Sequence, residues 1–310
     1  MITTITLNPC IDKTVHVASL IRGGTSLITE SRRDIGGRGI NVCVTLQNLG
    51  VSTVALCLAP KENKEELKRL LDELSVPCVP VTVPGRLREN LKIYDDFSGD
   101  LTEINESGSP VAEEALTNFL SFVSSALPKT SVLVIGGSVP PGTPKDIYAR
   151  IIRIAQARNV PTVLDASGEL LKEGLSAHPT LIKPNREDME RLCGRRIDSV
   201  QVAKEEAQKL VQQGIQAVCL SLDVDGALYA NREGVWYSPG VPIQVRGQQG
   251  AGDAMVAGLC DAFIAGKTPD EVLASGIAAA EGSLLREGTL LCTKEQYDAL
   301  LPRIRVERLA

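Results

Sequence analysis

The sequence predicts an α/β protein: a mostly parallel sheet covered by helices on both faces, with a small β-structure set beside it. Two observations carry this. From residue 112 onward, runs of β-branched residues alternate with helical patterns, the rhythm of strands joined by crossover helices. Two stretches, 12–34 and 86–106, break that rhythm with short alternating runs and turns, and read as a small sheet laid over the main body. The 310 residues are 43% hydrophobic and 23% charged, enough for one large core. No repeat or long linker divides them, so 1–310 is read as a single domain.

The elements follow in order. "ITTITLN" alternates β-branched residues and reads as the first strand. "GGRGINVCVTLQNLG" (36–50) is a glycine turn opening a helix that Gly50 closes. "STVALCLA" is a strand. "KENKEELKRLLDEL" is an amphipathic helix with Leu67, Leu70, Leu71 and Leu74 on one stripe. Residues 76–108, rich in proline and turns, read as β-structure with hairpins. A helix at about 112–127 leads to the strand "SVLVIGG", and one at 144–158 to the strand "PTVLDAS". Then come the strand "TLIKPN", the short helix "REDMERLCG", a helix at 199–213, the strand "AVCLSL" and the hairpin "GALYANREGVWYS". Helices at about 252–265, 269–285 and 293–304 finish the chain.

Composition narrows the function. A net charge of −5 argues against sequence-independent nucleic-acid binding. The eight cysteines include no C-x-x-C pair, and with two histidines no zinc spacing arises. They read as buried thiols of a reducing compartment. No window approaches the roughly 20 apolar residues of a membrane span, and the N-terminus lacks a charged leader. The expectation is a cytoplasmic protein without nucleic-acid or membrane partners.

Glycine motifs carry the chemistry. "GKT" at 266–268 follows a helix rather than a strand and lacks the first glycine of a P-loop, so Gly266 reads as a helix cap. No G-x-G-x-x-G follows the first strand. "RGQQGAGDAMVAG" (246–258) is different. Glycines entering a helix leave backbone N–H groups at the positive end of its dipole, an anion site. Gly250, Ala251 and Gly252 then form an anion hole, and Asp253 beside them serves as a base toward a hydroxyl. On these residues alone, Asp253 equally suits the first turn of its helix.

"TLNPCIDKTV", "GGRGINV", "RENLKI", "TEINESG", "GSVPPG", "LDASGELL", "LIKPNREDMERL" and "GAGDAMVAG" occur in this order and span nearly the whole chain. The set resembles the sugar kinases of the ribokinase family, in its phosphofructokinase-B branch, and is most similar to the 1-phosphofructokinases and tagatose-6-phosphate kinases. The resemblance implies a ribokinase-like fold whose small sheet is a lid over the sugar and a clasp between two subunits. It implies ATP and Mg²⁺, with a monovalent cation as a further candidate. The implied reaction phosphorylates a ketohexose phosphate, fructose 1-phosphate to fructose 1,6-bisphosphate, with tagatose 6-phosphate or fructose 6-phosphate as alternative acceptors. A weakly active homologue that only binds a sugar phosphate is the alternative of another class.

The resemblance also assigns residues. Asp12, Gly36, Gly37, Gly39 and Asn41 would meet sugar hydroxyls, and Arg38, Arg88 and Lys92 the sugar phosphate. Lys183, Asn185, Asp188, Ser221, Asp223, Gly226 and Gln248 would lie along the nucleotide, with Asn185 and Asp188 indirectly at the metal. Asp253 would be the base. The plain readings are a turn for Asp12, a helix cap for Asn41 and a solvated charge for Arg88. Four positions depart from the family pattern: Leu27 for an arginine, Asp223 for a glycine, Gln248 for a threonine and Asp188 for a glutamate. Three of them lie on the nucleotide side, which leaves two readings: neutral drift in loops that still fold around ATP, or atypical nucleotide binding, since a carboxylate at 223 repels phosphate unless a cation intervenes.

Overall fold

A computed structural model describes residues 1–247, 249–288 and 290–310. The first third contains β1 (Ile2–Thr6), β2 (Cys10–Val17), β3 (Ile28–Gly36), α1 (Arg38–Asn48), β4 (Thr53–Pro60), α2 (Lys64–Glu73), β5 (Cys78–Val83), β6 (Arg88–Asp95) and β7 (Leu101–Asn105). Next come α3 (Glu113–Ala126), β8 (Val132–Gly136), α4 (Ile147–Gln156), β9 (Thr162–Asp165), α5 (Gly168–Leu175), β10 (Leu181–Ile182), α6 (Arg186–Cys193) and α7 (Val200–Gln212). The chain ends with β11 (Ala217–Ser221), β12 (Ala227–Asn231), β13 (Gly234–Ser238), α8 (Ala251–Ile264), α9 (Pro269–Leu284), α10 (Lys294–Leu300) and β14 (Glu307–Leu309).

Among the described residues, ten strands form one sheet in the order β14-β13-β12-β11-β10-β9-β8-β1-β4-β5. β5 through β11 pair in parallel, and the last three strands add antiparallel. Every residue of β1 is buried, as a central parallel strand covered on both faces requires. One face packs α3 to α7 around Phe119, Tyr148 and Ile151; the other packs α1, α8, α9 and α10 around Leu46, Leu259 and Ile277. The order reverses at β1, whose parallel neighbours are β4 on one side and β8 on the other. A crevice at the carboxyl ends of these strands is where ligands bind in open α/β sheets.

Four strands form the second sheet, in the order β3-β2-β6-β7. β2 pairs antiparallel with β3 but parallel with β6. One face of it turns toward the carboxyl end of β1, carrying Asp12, Asn90 and Lys92.

Several expectations shift. Leu67, Leu70 and Leu71 are buried, but Leu74 caps α2 and is 43% exposed. β5 joins the large sheet beside β4, because β4, α2 and β5 form a complete crossover unit. The last helix stops at Leu300; Pro302 sits in a short 3-10 turn after it. α5 and β14 were not read from the sequence at all. Gly266 has φ 66 and ends α8 in the left-handed conformation.

Candidate active site

A cavity of about 260 Å³ lies between the two sheets at the carboxyl ends of β1 and β8. Asn8, Asp12, Arg38, Asn41, Arg88 and Lys92 line it, with Gly136 to Ser138 closing one side. The N-terminal turns of α1 and α8 meet at one end. There Asn41 Nδ2 donates to Asp253 Oδ2 at 2.7 Å. Asn41 is therefore not a cap; it lies one turn into α1 and orients the acid of the other helix.

Asp12 is not in a turn. It stands within β2, where Lys92 Nζ lies 2.9 Å from Oδ2 and Asn90 Nδ2 donates to Oδ1 at 2.9 Å. Lys92 and Asp12 are both less than a tenth exposed. A buried pair of this kind is tolerated because each charge is matched and hydrogen-bonded. Gly36 pairs with Cys10 across β2 and β3, and a Cβ there would meet Asp12 Oδ2 at 2.6 Å. Gly37 precedes α1, and Gly39 packs that helix onto the backbone of β1. Arg88 donates to the carbonyl of Asn8 at 3.1 Å and to Asn90 Oδ1 at 3.1 Å, with its guanidinium at the cavity wall.

At the α8 end of the site, Gly250 precedes α8 with φ 73, a conformation only glycine adopts without strain. It turns the chain so that α8 begins with Ala251, Gly252 and Asp253, their N–H groups unclaimed by the helix. Lys183 Nζ would lie 3.4 Å from a Cβ at Gly252, so the bare backbone and this buried ammonium are adjacent. Asp253 is buried; desolvation and the nearby Asp165 push its carboxyl up to about 6, against the pull of Arg38, the Asn41 hydrogen bond and Lys183.

Asp165, not singled out from the sequence, organises the centre. Arg38 Nη1 reaches its carboxylate at 3.0 Å and Lys183 Nζ at 3.4 Å. Its "LDASG" context was legible, but only the end of β9 shows that it faces two cations. Arg38 lines the cavity yet turns its guanidinium onto Asp165 and Ser167. Ser167 Oγ donates to Asp188 at 3.1 Å. Asn185 caps α6 by accepting from the Asp188 N–H, and bridges in parallel to Ser221. Asp223, with φ 54, follows that strand, and Gly226 closes the turn. The repulsion expected of Asp223 is met by a cation: Arg186 Nε lies 3.6 Å from its carboxylate and also holds Asp225. Gln248 lies outside the described residues. Leu27 is 80% exposed and is not part of the cavity wall.

Among the described residues no group of three or more acidic, histidine or cysteine side chains is gathered as a metal cage. Asn185 Oδ1 is engaged by the Asp188 N–H at 2.7 Å, and Asp188 Oδ2 by Ser167 Oγ at 3.1 Å. No helix of the described residues is long and apolar enough to cross a membrane.

Comparison with known proteins gives first a class. The fold is ribokinase-like: it superimposes on Arabidopsis thaliana ribokinase complexed with ribose and ATP at a TM-score of 0.79, with 18% identity, covering 97% of this chain and 98% of that one. The chain belongs to the pfkB family of carbohydrate kinases, whose pattern matches residues 5–296. Within it, the chain is 34% identical over 310 residues to the 1-phosphofructokinase of Bacillus subtilis (strain 168), covering 100% of both. Phosphofructokinase-2 from Escherichia coli, solved in complex with potassium, superimposes at a TM-score of 0.91 with 27% identity, covering 97% of this chain and 98% of that one. The same enzyme has also been solved in a tetrameric inhibited form. The chain is thus a sugar kinase by family.

Proposed function

We propose that the protein transfers the γ-phosphoryl group of ATP to the C6 hydroxyl of fructose 1-phosphate, giving fructose 1,6-bisphosphate. The observation that carries this is Asp253: a buried acid in the first turn of α8, oriented by Asn41, at the end of a cavity lined by Arg88, Lys92 and Arg38. Arg88, held by the Asn8 carbonyl and Asn90 Oδ1 at the cavity wall, suits a substrate that already bears phosphate. Asp12, Asn8 and Asn90 supply donors and acceptors for its hydroxyls.

In this reading Asp253 accepts the hydroxyl proton as the oxygen attacks in line. The amides of Ala251, Gly252 and Asp253 hold the transferring phosphoryl oxygens, and Lys183 adds positive charge beside them. Lys183, Asn185, Asp188, Ser221, Asp223 and Gly226 border the nucleotide. Mg²⁺ bound there would neutralise charge on the β- and γ-phosphates. Potassium in the E. coli relative supports a monovalent cation as a further requirement. Exposed apolar side chains, Ile104 at 57% on β7 and Phe97 at 87% in the turn between β6 and β7, support a homodimer joined through the small sheet, with the sheet as a lid. The eight free thiols suit a cytoplasmic enzyme.

Coupled ADP release over a panel of ketohexose phosphates tests the assignment. Turnover is expected with fructose 1-phosphate. Preference for tagatose 6-phosphate or fructose 6-phosphate overturns the substrate, and no turnover with any of them overturns the reaction.

A further inference from the structure

The residue just before the Gly250 turn does something its neighbours in sequence do not disclose. Gln249 reaches across to the small sheet. Its Oε1 accepts from Lys92 Nζ at 2.5 Å, and its Nε2 donates to Glu103 Oε1 at 2.8 Å. Lys92 on β6 and Glu103 on β7 stand opposite each other in register. A cation and a carboxylate side by side need one partner that accepts from the first and donates to the second, and a carboxamide is the side chain that does both. Reversing the amide would set donor against donor and acceptor against acceptor, so the network fixes its orientation.

The position of this bridge gives it meaning. Lys92 is the same ammonium that pairs with Asp12 at 2.9 Å in the cavity wall. Gln249 is bonded directly to Gly250, whose left-handed turn starts the row of N–H groups in α8. One side chain therefore links the sugar wall to the phosphoryl turn.

We propose that Gln249 is a positioning residue that couples the two halves of the site: its carboxamide fastens Lys92 and Glu103 of the small sheet to the turn that opens α8, so that a seated small sheet holds that turn in register for transfer. This rests on the kinase reading above. Misplacement of a reacting group by about 1 Å costs on the order of 100-fold in rate, so loss of the link is expected in kcat as well as in sugar affinity.

A double-mutant cycle tests it. Gln249→Leu should lower kcat about tenfold and raise KM for fructose 1-phosphate, with KM for ATP changing less than about twofold. Gln249→Glu keeps the acceptor for Lys92 but sets a carboxylate against Glu103, and should be at least as damaging. Adding Glu103→Gln exchanges the two groups and restores every donor–acceptor match; activity should return to within about threefold of wild type. A merely structural role would lower the active fraction without splitting the two KM values or yielding rescue. Gln249→Leu kinetics within about twofold of wild type, or effects that simply multiply in the cycle, overturn the proposal. Wild-type turnover is measured first, and its absence counts against the proposed function instead. Hydrogen exchange of β6 and β7 then reads the link without activity: faster exchange in Gln249→Leu and recovery in Glu103→Gln/Gln249→Glu support it, and unchanged exchange overturns it.

Discussion

In the proposed transfer Asp253 must be ionised to take a proton, yet it is buried, and burial holds its carboxyl up at about 6 from an ordinary 3.8. The sign follows for both activity and stability. The base is lost as pH falls, so kcat/KM should drop on the acid side with a midpoint at about 6. Between the ordinary and the raised value the folded protein binds more protons than the unfolded chain, so stability declines as pH rises through that window and stays lower above it. Asp253→Asn escapes this penalty while Asn41 keeps an acceptor. Its activity should fall about 100- to 10,000-fold, and its melting temperature should exceed that of wild type at pH 8 but not at pH 4; melting curves and kinetics at the two pH values check both. At this scale the sequence was informative where chemistry clusters locally, as in "GAGD" and "GGRGIN". It gave no role to Asn90, Glu103 or Asp165, although each lies in a quoted motif, because each acquires its role from a strand pairing or a strand end distant in sequence. Gln249 stands in "RGQQGAGDAMVAG" without a role of its own; its partners Lys92 and Glu103 lie about 150 residues away.

The elements act by holding helix ends in place. α8 carries the anion turn, and its position is fixed by close packing on α9: a Cβ at Gly258 would lie 2.3 Å from the Ser275 carbonyl oxygen. Gly258→Ala should cost about 1–3 kcal/mol of stability as the helices are forced apart, measured by urea unfolding; no change would mean that this contact does not set the helix spacing. Helices of strong period, such as α2 and α7, were legible, since apolar spacing alone specifies them. α5 and β14 were not. α5 is a helix of eight residues, and β14 has three residues whose only signal is the edge of β13 to which they pair. The parallel pairing of β2 with β6 was equally hidden, because two short β-rich stretches carry no mark of their relative direction.

At the scale of the whole molecule, a parallel sheet that reverses at β1 leaves a crevice, and the small sheet stands over it. β7 is exposed along its whole length and forms an edge of that small sheet. An exposed edge with Leu101 and Ile104 calls for a cover. Ile104→Asp should turn a dimer into a monomer by light scattering; a monomeric wild type, or an unchanged dimer in the variant, contradicts the clasp. The class of fold was legible because the alternation of strands and helices is long and regular. The order of the strands was not read from the sequence, since no local pattern encodes which strand lies beside which. In the proposed reaction Asp253 drives phosphoryl transfer to the second end of a ketohexose phosphate. Phosphorus NMR of the protein incubated with ATP, Mg²⁺ and fructose 1-phosphate reads this most directly. A new phosphomonoester signal at C6 is expected, with ADP in equal amount, and it should form at least about 100-fold more slowly with Asp253→Asn. No new signal from the wild type, or the same signal at the same rate from the variant, would contradict it.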